Sequence, residues 1–175
     1  HQFLIVDDAS EDDTKEIVKN LEYKVRNKIE YVCLGKDPTR QLGETRNQGV
    51  VLANTNRIVV QVDADDIYDH GFLEMELIYN AIASEIGSDI FLKGPNINIT
   101  TRDLMMSVGG YNNFSRGEDR DLWRRLNKLG HLYWVEAQKT SSRSNKSAKR
   151  GKIKLLSQLN KLAEADIQSG VNPFS

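Results

Sequence analysis

Apolar positions fall in short runs that break off at acidic residues. The first, Phe3 to Val6, stops at Asp7 and Asp8, as a buried parallel strand does where it enters a polar loop. Ser10 and Asp13 have the spacing of a capping box and predict a helix over about residues 11–22. A second strand is expected from Ile29 to Leu34, then a helix over about 44–54 and a third strand over 57–62, which ends at the acidic cluster Asp63, Asp65 and Asp66. Downstream the pattern predicts a helix over about 71–84, a strand over 89–94 and a short helix over about 102–108 closed by Gly109 and Gly110. A helix over about 118–130 stopped by Gly130 and a strand-like run from His131 follow. Strands alternating with helices imply an α/β fold with a mainly parallel sheet and right-handed crossovers. In such sheets ligands bind beyond the carboxyl ends of the strands, where both acidic clusters fall.

Composition narrows the function classes. A chain of 175 residues with 39% hydrophobic content can bury one sizeable core without disulfides. Basic and acidic residues balance, 24 against 25, so no broad positive field selects nucleic acid and any electrostatic function is local. The lone Cys33, in an apolar strand-like run, is expected to be a buried structural thiol in a reducing compartment. No apolar run approaches the roughly 20 residues of a membrane span, and no signal segment opens the chain, so a cytoplasmic location is expected. The character changes near residue 137: residues 139–154 hold basic residues and no acid, and Leu155, Leu156, Leu159 and Leu162 then share one helical face. Residues 1–136 are therefore expected to form the core, and 137–175 a basic linker with a C-terminal amphipathic helix that packs on the core or lies peripherally on a membrane.

The turn after the third strand carries the clearest chemistry. Asp63, Asp65 and Asp66 lie within four residues, and carboxylates that close repel one another unless a cation offsets them. Mg²⁺ or Mn²⁺ is held by one or two carboxylates while phosphate oxygens complete the shell, so a DxD element is chemically sufficient. The same turn also reads as a solvated acidic loop that caps the next helix.

Further along, Gly109, Gly110 and Tyr111 precede Glu118 and Asp119, which open a helix bearing Asp121, Leu122, Trp123, Arg124 and Arg125. This arrangement resembles the acceptor end of a family 2 glycosyltransferase. The upstream segments FLIVDDASEDDT, GETRNQGVVLA and VDADDIY resemble that family's nucleotide-binding turn, Arg-containing helix and DxD turn, in the expected order. The resemblance covers roughly residues 3–136 and implies a GT-A type, Rossmann-like sheet flanked by helices, N-terminally truncated because the chain begins at what resembles the second strand. Without the first strand and helix, a parallel sheet would show an open edge beside the donor site.

Residue by residue, the resemblance implies that Asp7 and Asp8 contact the base of a nucleoside diphosphate sugar, with Arg46 near the same nucleotide. Asp63 and Asp65 would hold the ribose and a Mn²⁺ or Mg²⁺ ion, with Asp66 a competing ligand. Asp119 would be the general base toward an acceptor hydroxyl and Glu118 its support. Uridine diphosphate is the family's commonest donor nucleotide; the acceptor would be a glycan or a lipid-linked carrier. Leu122, Trp123 and Leu126 have the spacing of a buried face, so Trp123 reads as core, and His131 as structural. His70 is a surface helix-start residue that could approach the metal. Two rivals stay open: a non-catalytic scaffold that keeps the same fold, and a receiver-type signalling domain, whose opening FLIVDDAS resembles.

Overall fold

The computed structural model describes residues 3–24, 29–54, 58–64, 66–68, 71–135 and 141–143. In chain order the elements are β1 (Phe3–Asp7), α1 (Thr14–Lys24), β2 (Ile29–Cys33), α2 (Leu42–Leu52), β3 (Ile58–Val62), β4 (Asp66–Tyr68), α3 (Gly71–Ile86), β5 (Phe91–Gly94), β6 (Ile97–Thr101), α4 (Arg102–Ser107), α5 (Glu118–Lys128), β7 (Leu132–Trp134) and β8 (Ser141–Arg143). The expected α/β class is observed. β1 and β2 pair in parallel, and a four-stranded sheet runs in the order β3-β6-β5-β7. In that sheet β7 lies parallel to β5, while β6 is antiparallel to both β3 and β5. An antiparallel strand in that position does not fit the all-parallel order of a receiver domain.

Three strands, β4, β6 and β8, are not announced by the hydrophobic pattern. β6 reads INITT, in which polar side chains interrupt the apolar ones, and it follows β5 after only Pro95 and Asn96. Asn96 takes a positive φ of 55°, which lets this tight hairpin close. β8 comes from the basic stretch and pairs antiparallel with β4, setting Arg143 opposite Asp66. The rest of residues 137–175, including the expected amphipathic helix, lies outside the described residues.

Packing on both faces of β5 holds the larger sheet. Successive strand residues point to opposite sides. Phe91 joins a cluster with Val50, Leu104, Met105, Tyr111, Leu122 and Leu126, and Leu92 joins one with Met75, Tyr79, Ile97 and Ile99. Thus α2, α4 and α5 cover one face and α3 the other. Leu122 and Leu126 are fully buried as expected, and Trp123 packs at the margin of the same cluster. His131 is structural, its Nδ1 3.1 Å from the Asp89 carbonyl oxygen.

Two local expectations are corrected. Ser10 does not cap α1: its N–H and hydroxyl both donate to Asp7, and the helix starts later, where the Asp12 carboxylate accepts the Thr14 N–H at 3.1 Å. Cys33 is exposed rather than buried, because β2 pairs only with β1 among the described residues and the thiol lies at its exposed end. On the same count the edge of β1 away from β2, and that of β3 away from β6, carry no strand.

Candidate functional site

The N-terminal half of α2 is docked onto the loop after the Gly-Gly turn, and this docking builds the site. Gly43 N–H donates to the Phe114 carbonyl at 3.1 Å, and Gln41 N–H to the Asn113 side chain at 2.8 Å. A Cβ on Gly43 would lie 1.9 Å from the Asn112 carbonyl oxygen, so only glycine lets the helix approach this closely. One turn on, the Asn47 amide donates to the Tyr111 carbonyl and accepts the Tyr111 N–H, both at 2.8 Å. Gly110 must be glycine twice over: its φ is +64°, and a Cβ would lie 2.6 Å from Asn47 Oδ1.

Arg46, between these contacts, reaches two acidic segments. Its Nη2 donates to Asp63 at 3.0 Å, its Nε lies 3.5 Å from Glu118 Oε1, and its guanidinium carbon is 5.7 Å from the Tyr111 ring centroid. One side chain thus joins the end of β3 to the start of α5. Glu118 is buried, and that burial raises its pKa against the opposing pull of Arg46. Burial also raises the Tyr111 hydroxyl to about 12; this hydroxyl donates to Gln61 Oε1.

The helix carrying Glu118 is set by its neighbours. Gly117 supplies a left-handed N-cap at φ 76°, and the first turn holds Glu118, Asp119 and Asp121, where the helix dipole favours negative charge. Asp121 is buried and structural: it accepts from Asn112 at 2.8 Å and pairs with Arg125 at 2.9 Å. Arg125 in turn donates to the carbonyls of Val108 and Gly110, tying the Gly-Gly turn to α5. Asp119 is only partly buried. Its Oδ1 accepts the Arg120 N–H at 2.7 Å, and its Oδ2 carries no hydrogen bond among the described residues.

Asp7 and Asp8 separate. Asp7 is buried beneath the loop and accepts from Ser10 and the Tyr31 hydroxyl. Burial pushes its pKa up, but those hydrogen bonds outweigh it and hold the carboxyl below its ordinary 3.8. The depressed pKa stabilises the fold above the unfolded carboxylate's pKa, and this contribution is lost as pH falls through the folded one. A Tyr31→Phe protein is therefore expected to be less stable than the parent at neutral pH, with the gap closing below about pH 4. Urea denaturation across that range checks it; a gap that widens in acid would contradict the assignment.

Asp8 instead faces the site. It pairs with Arg40 Nε at 2.7 Å and accepts from Thr45, the residue before Arg46, at 2.9 Å. Of the expected site residues, then, Asp63, Arg46 and Glu118 meet directly, Asp8 joins them through Thr45, and Asp7 serves the loop beneath. Asp65 and His70 lie outside the described residues, and of Asp66 the structure gives the backbone position that opens β4. No group of three or more metal-ligating side chains occurs among the described residues. Asp63 keeps one oxygen beyond its Arg46 contact at a half-exposed strand end, a hard donor of the type that Mg²⁺ or Mn²⁺ takes.

Comparison with known proteins bears on the fold and on the first half of the chain. Residues 1–84 match Glycosyl transferase family 2. Over those residues, just under half of the chain, the sequence is similar to that family. No curated protein matches the chain. Among solved structures, S. aureus TarS 1–349 in complex with UDP-GlcNAc superposes with a TM-score of 0.66 at 16% identity, over 96% of this chain and 56% of that one. The mannosyltransferase PcManGT from Pyrobaculum calidifontis, in complex with GDP-Man and Mn²⁺, gives 0.69 at 14% identity, over 96% and 53%. A putative glucose-1-phosphate thymidylyltransferase from Bacillus anthracis, in complex with a sucrose, gives 0.57 at 10% identity, over 93% and 75%. These likenesses show the fold, and the chain spans about half the length of the first two. The family 2 match covers Asp7, Asp8, Arg46 and the acidic turn, and it ends before Glu118 and Asp119.

Residues that the sequence did not single out complete the surroundings: Arg40, Thr45 and Tyr31 on the Asp7–Asp8 loop, and Trp134 beside α5. None of these has a local signal, because each acts through contacts between segments distant in the chain.

Proposed function

We propose that this chain is the core of an inverting glycosyltransferase that moves a sugar from a nucleoside diphosphate sugar to an acceptor hydroxyl. The observation that carries this reading is the Arg46 bridge, which joins Asp63 on the acidic turn to Glu118 on the helix that bears Asp119. The family 2 match over the donor half supports it, as do neighbours solved with UDP-GlcNAc and with GDP-Man and Mn²⁺. Asp8, paired with Arg40, would contact the nucleotide base. Asp63 and Asp65, with Asp66 as alternative, would hold Mn²⁺ or Mg²⁺, which when bound offsets charge on the leaving diphosphate.

Asp119 accepts the proton of the acceptor hydroxyl as its oxygen bonds to the anomeric carbon. The bond from that carbon to the phosphate oxygen breaks, and its electron pair leaves with the diphosphate. A base needs a reachable carboxylate oxygen, and Asp119 sits partly exposed in the first turn of α5. Glu118, fixed by Arg46, positions the start of the helix. Among the described residues no helix is long and apolar enough to cross a membrane.

Calorimetric titration with uridine, guanosine and thymidine diphosphates, with Mn²⁺ or with chelator, tests the donor site. The informative variant is Asp65→Ala, because it leaves the Asp63–Arg46 pair intact. Metal-dependent binding of one nucleotide that the variant loses is the expected result; no binding of any of them would overturn the reading.

A further inference from the structure

One cluster beside α5 has no role in the scheme above. Trp123 follows Asp119 by four residues and so lies on the same helix face, about 6 Å further along the axis. Lys93 is two residues beyond Phe91 on β5 and therefore points to the same side of the sheet, toward α5. Its Nζ lies 4.5 Å from the Trp123 ring centroid and 4.6 Å from that of Trp134, which is its register partner on β7. The two indoles meet edge to face at 5.5 Å, yet Trp134 remains 59% exposed. Trp123 Nε1 is buried without a hydrogen-bond partner, so packing against its neighbours holds the ring.

The ammonium is the informative member. Among the described residues it makes no hydrogen bond or ion pair; its neighbours are the two π faces. Burial lowers its pKa, and the charge of Asp119 acts against that loss. A half-buried cation whose donors meet no acceptor among the described residues, beside an exposed indole, matches a ring with apolar C–H faces and an anionic substituent.

We propose that Lys93, Trp134 and Trp123 form an acceptor subsite for an acidic sugar, one bearing a carboxylate or a phosphate ester. The inference rests on the reading of Asp119 as the base. The sugar ring stacks on the exposed indole of Trp134, its anion sits on Lys93, and a free hydroxyl reaches Asp119 about one helical turn away.

The chain contains two tryptophans, both in this cluster, so intrinsic fluorescence reports the site directly. Methyl glucuronide, glucose 6-phosphate and methyl glucoside serve as carboxylate, phosphate and neutral probes, with acetate and inorganic phosphate as anions lacking a sugar. At least one acidic sugar is expected to change the emission saturably with about tenfold higher affinity than the neutral glucoside. Lys93→Met, which keeps the apolar stem, should reduce that preference to about unity. Whichever acidic probe binds more tightly identifies the anion.

Equal affinity for the neutral sugar, a preference that survives Lys93→Met, or the same response to a bare anion would overturn the proposal. So would no saturable response to any probe. Nucleotide titration of the same sample reads the donor site separately, so failure here is distinguishable from failure of the glycosyltransferase reading.

Discussion

An Arg46→Met protein is expected to lose about 3 kcal/mol of stability, because it strands the nearly fully buried Glu118 carboxylate without its counter-charge. For a chain of this size that is a fall of roughly 6–12 °C in the unfolding midpoint. Arg46→Lys should recover little of it. A lysine carries a point charge, whereas the guanidinium serves Asp63 and Glu118 with different nitrogens while lying over Tyr111. Adding Glu118→Gln to Arg46→Met removes the stranded charge and should return much of the loss, a coupling that a double-mutant cycle measures directly.

The pH dependence has a definite sign. Burial already raises the Glu118 pKa above its ordinary 4.5, and removing Arg46 raises it further. The penalty is then full well above that pKa and shrinks as acid protonates the carboxyl. Thermal melts at neutral and mildly acidic pH test this. A penalty independent of pH would mean that the loss comes from packing rather than from the ion pair.

The same contact shows why parts of the site were legible in the sequence and others were not. Asp63 stands at the end of a strongly patterned strand, where periodicity located it, whereas Glu118 and Asp119 open a patterned helix but were singled out by resemblance. Arg46 was placed near the nucleotide by resemblance, but its bridging role depends on how α2 docks against the loop at Asn112, a contact between segments far apart in the chain. Asp7 and Asp8 look interchangeable as an adjacent pair, yet strand alternation turns one under the loop and the other toward α2. Cys33 was misread because an apolar run does not reveal whether its strand lies in the middle of a sheet or at an edge. β6 escaped notice for the related reason that INITT mixes polar and apolar residues and pairs with strands on both sides. Nothing in the sequence sets Lys93 beside Trp134; only the pairing of β5 with β7 does so.

The Asp119→Asn exchange should separate chemistry from binding more cleanly than any other. The side chain is partly exposed, and its one hydrogen bond among the described residues, from the Arg120 N–H, is one that an asparagine oxygen also accepts. Folding and nucleotide affinity should therefore match the parent. Turnover with a donor sugar and an acceptor should fall by about 10² to 10⁴, because an amide cannot take the hydroxyl proton as the new bond forms. Glu118→Gln offers the contrast: Glu118 is held by Arg46 within the fold, so its loss should act on stability together with rate. Unchanged turnover in Asp119→Asn would transfer the base to another group while leaving the donor site intact. A lost nucleotide affinity would instead place Asp119 on the donor side of the reaction.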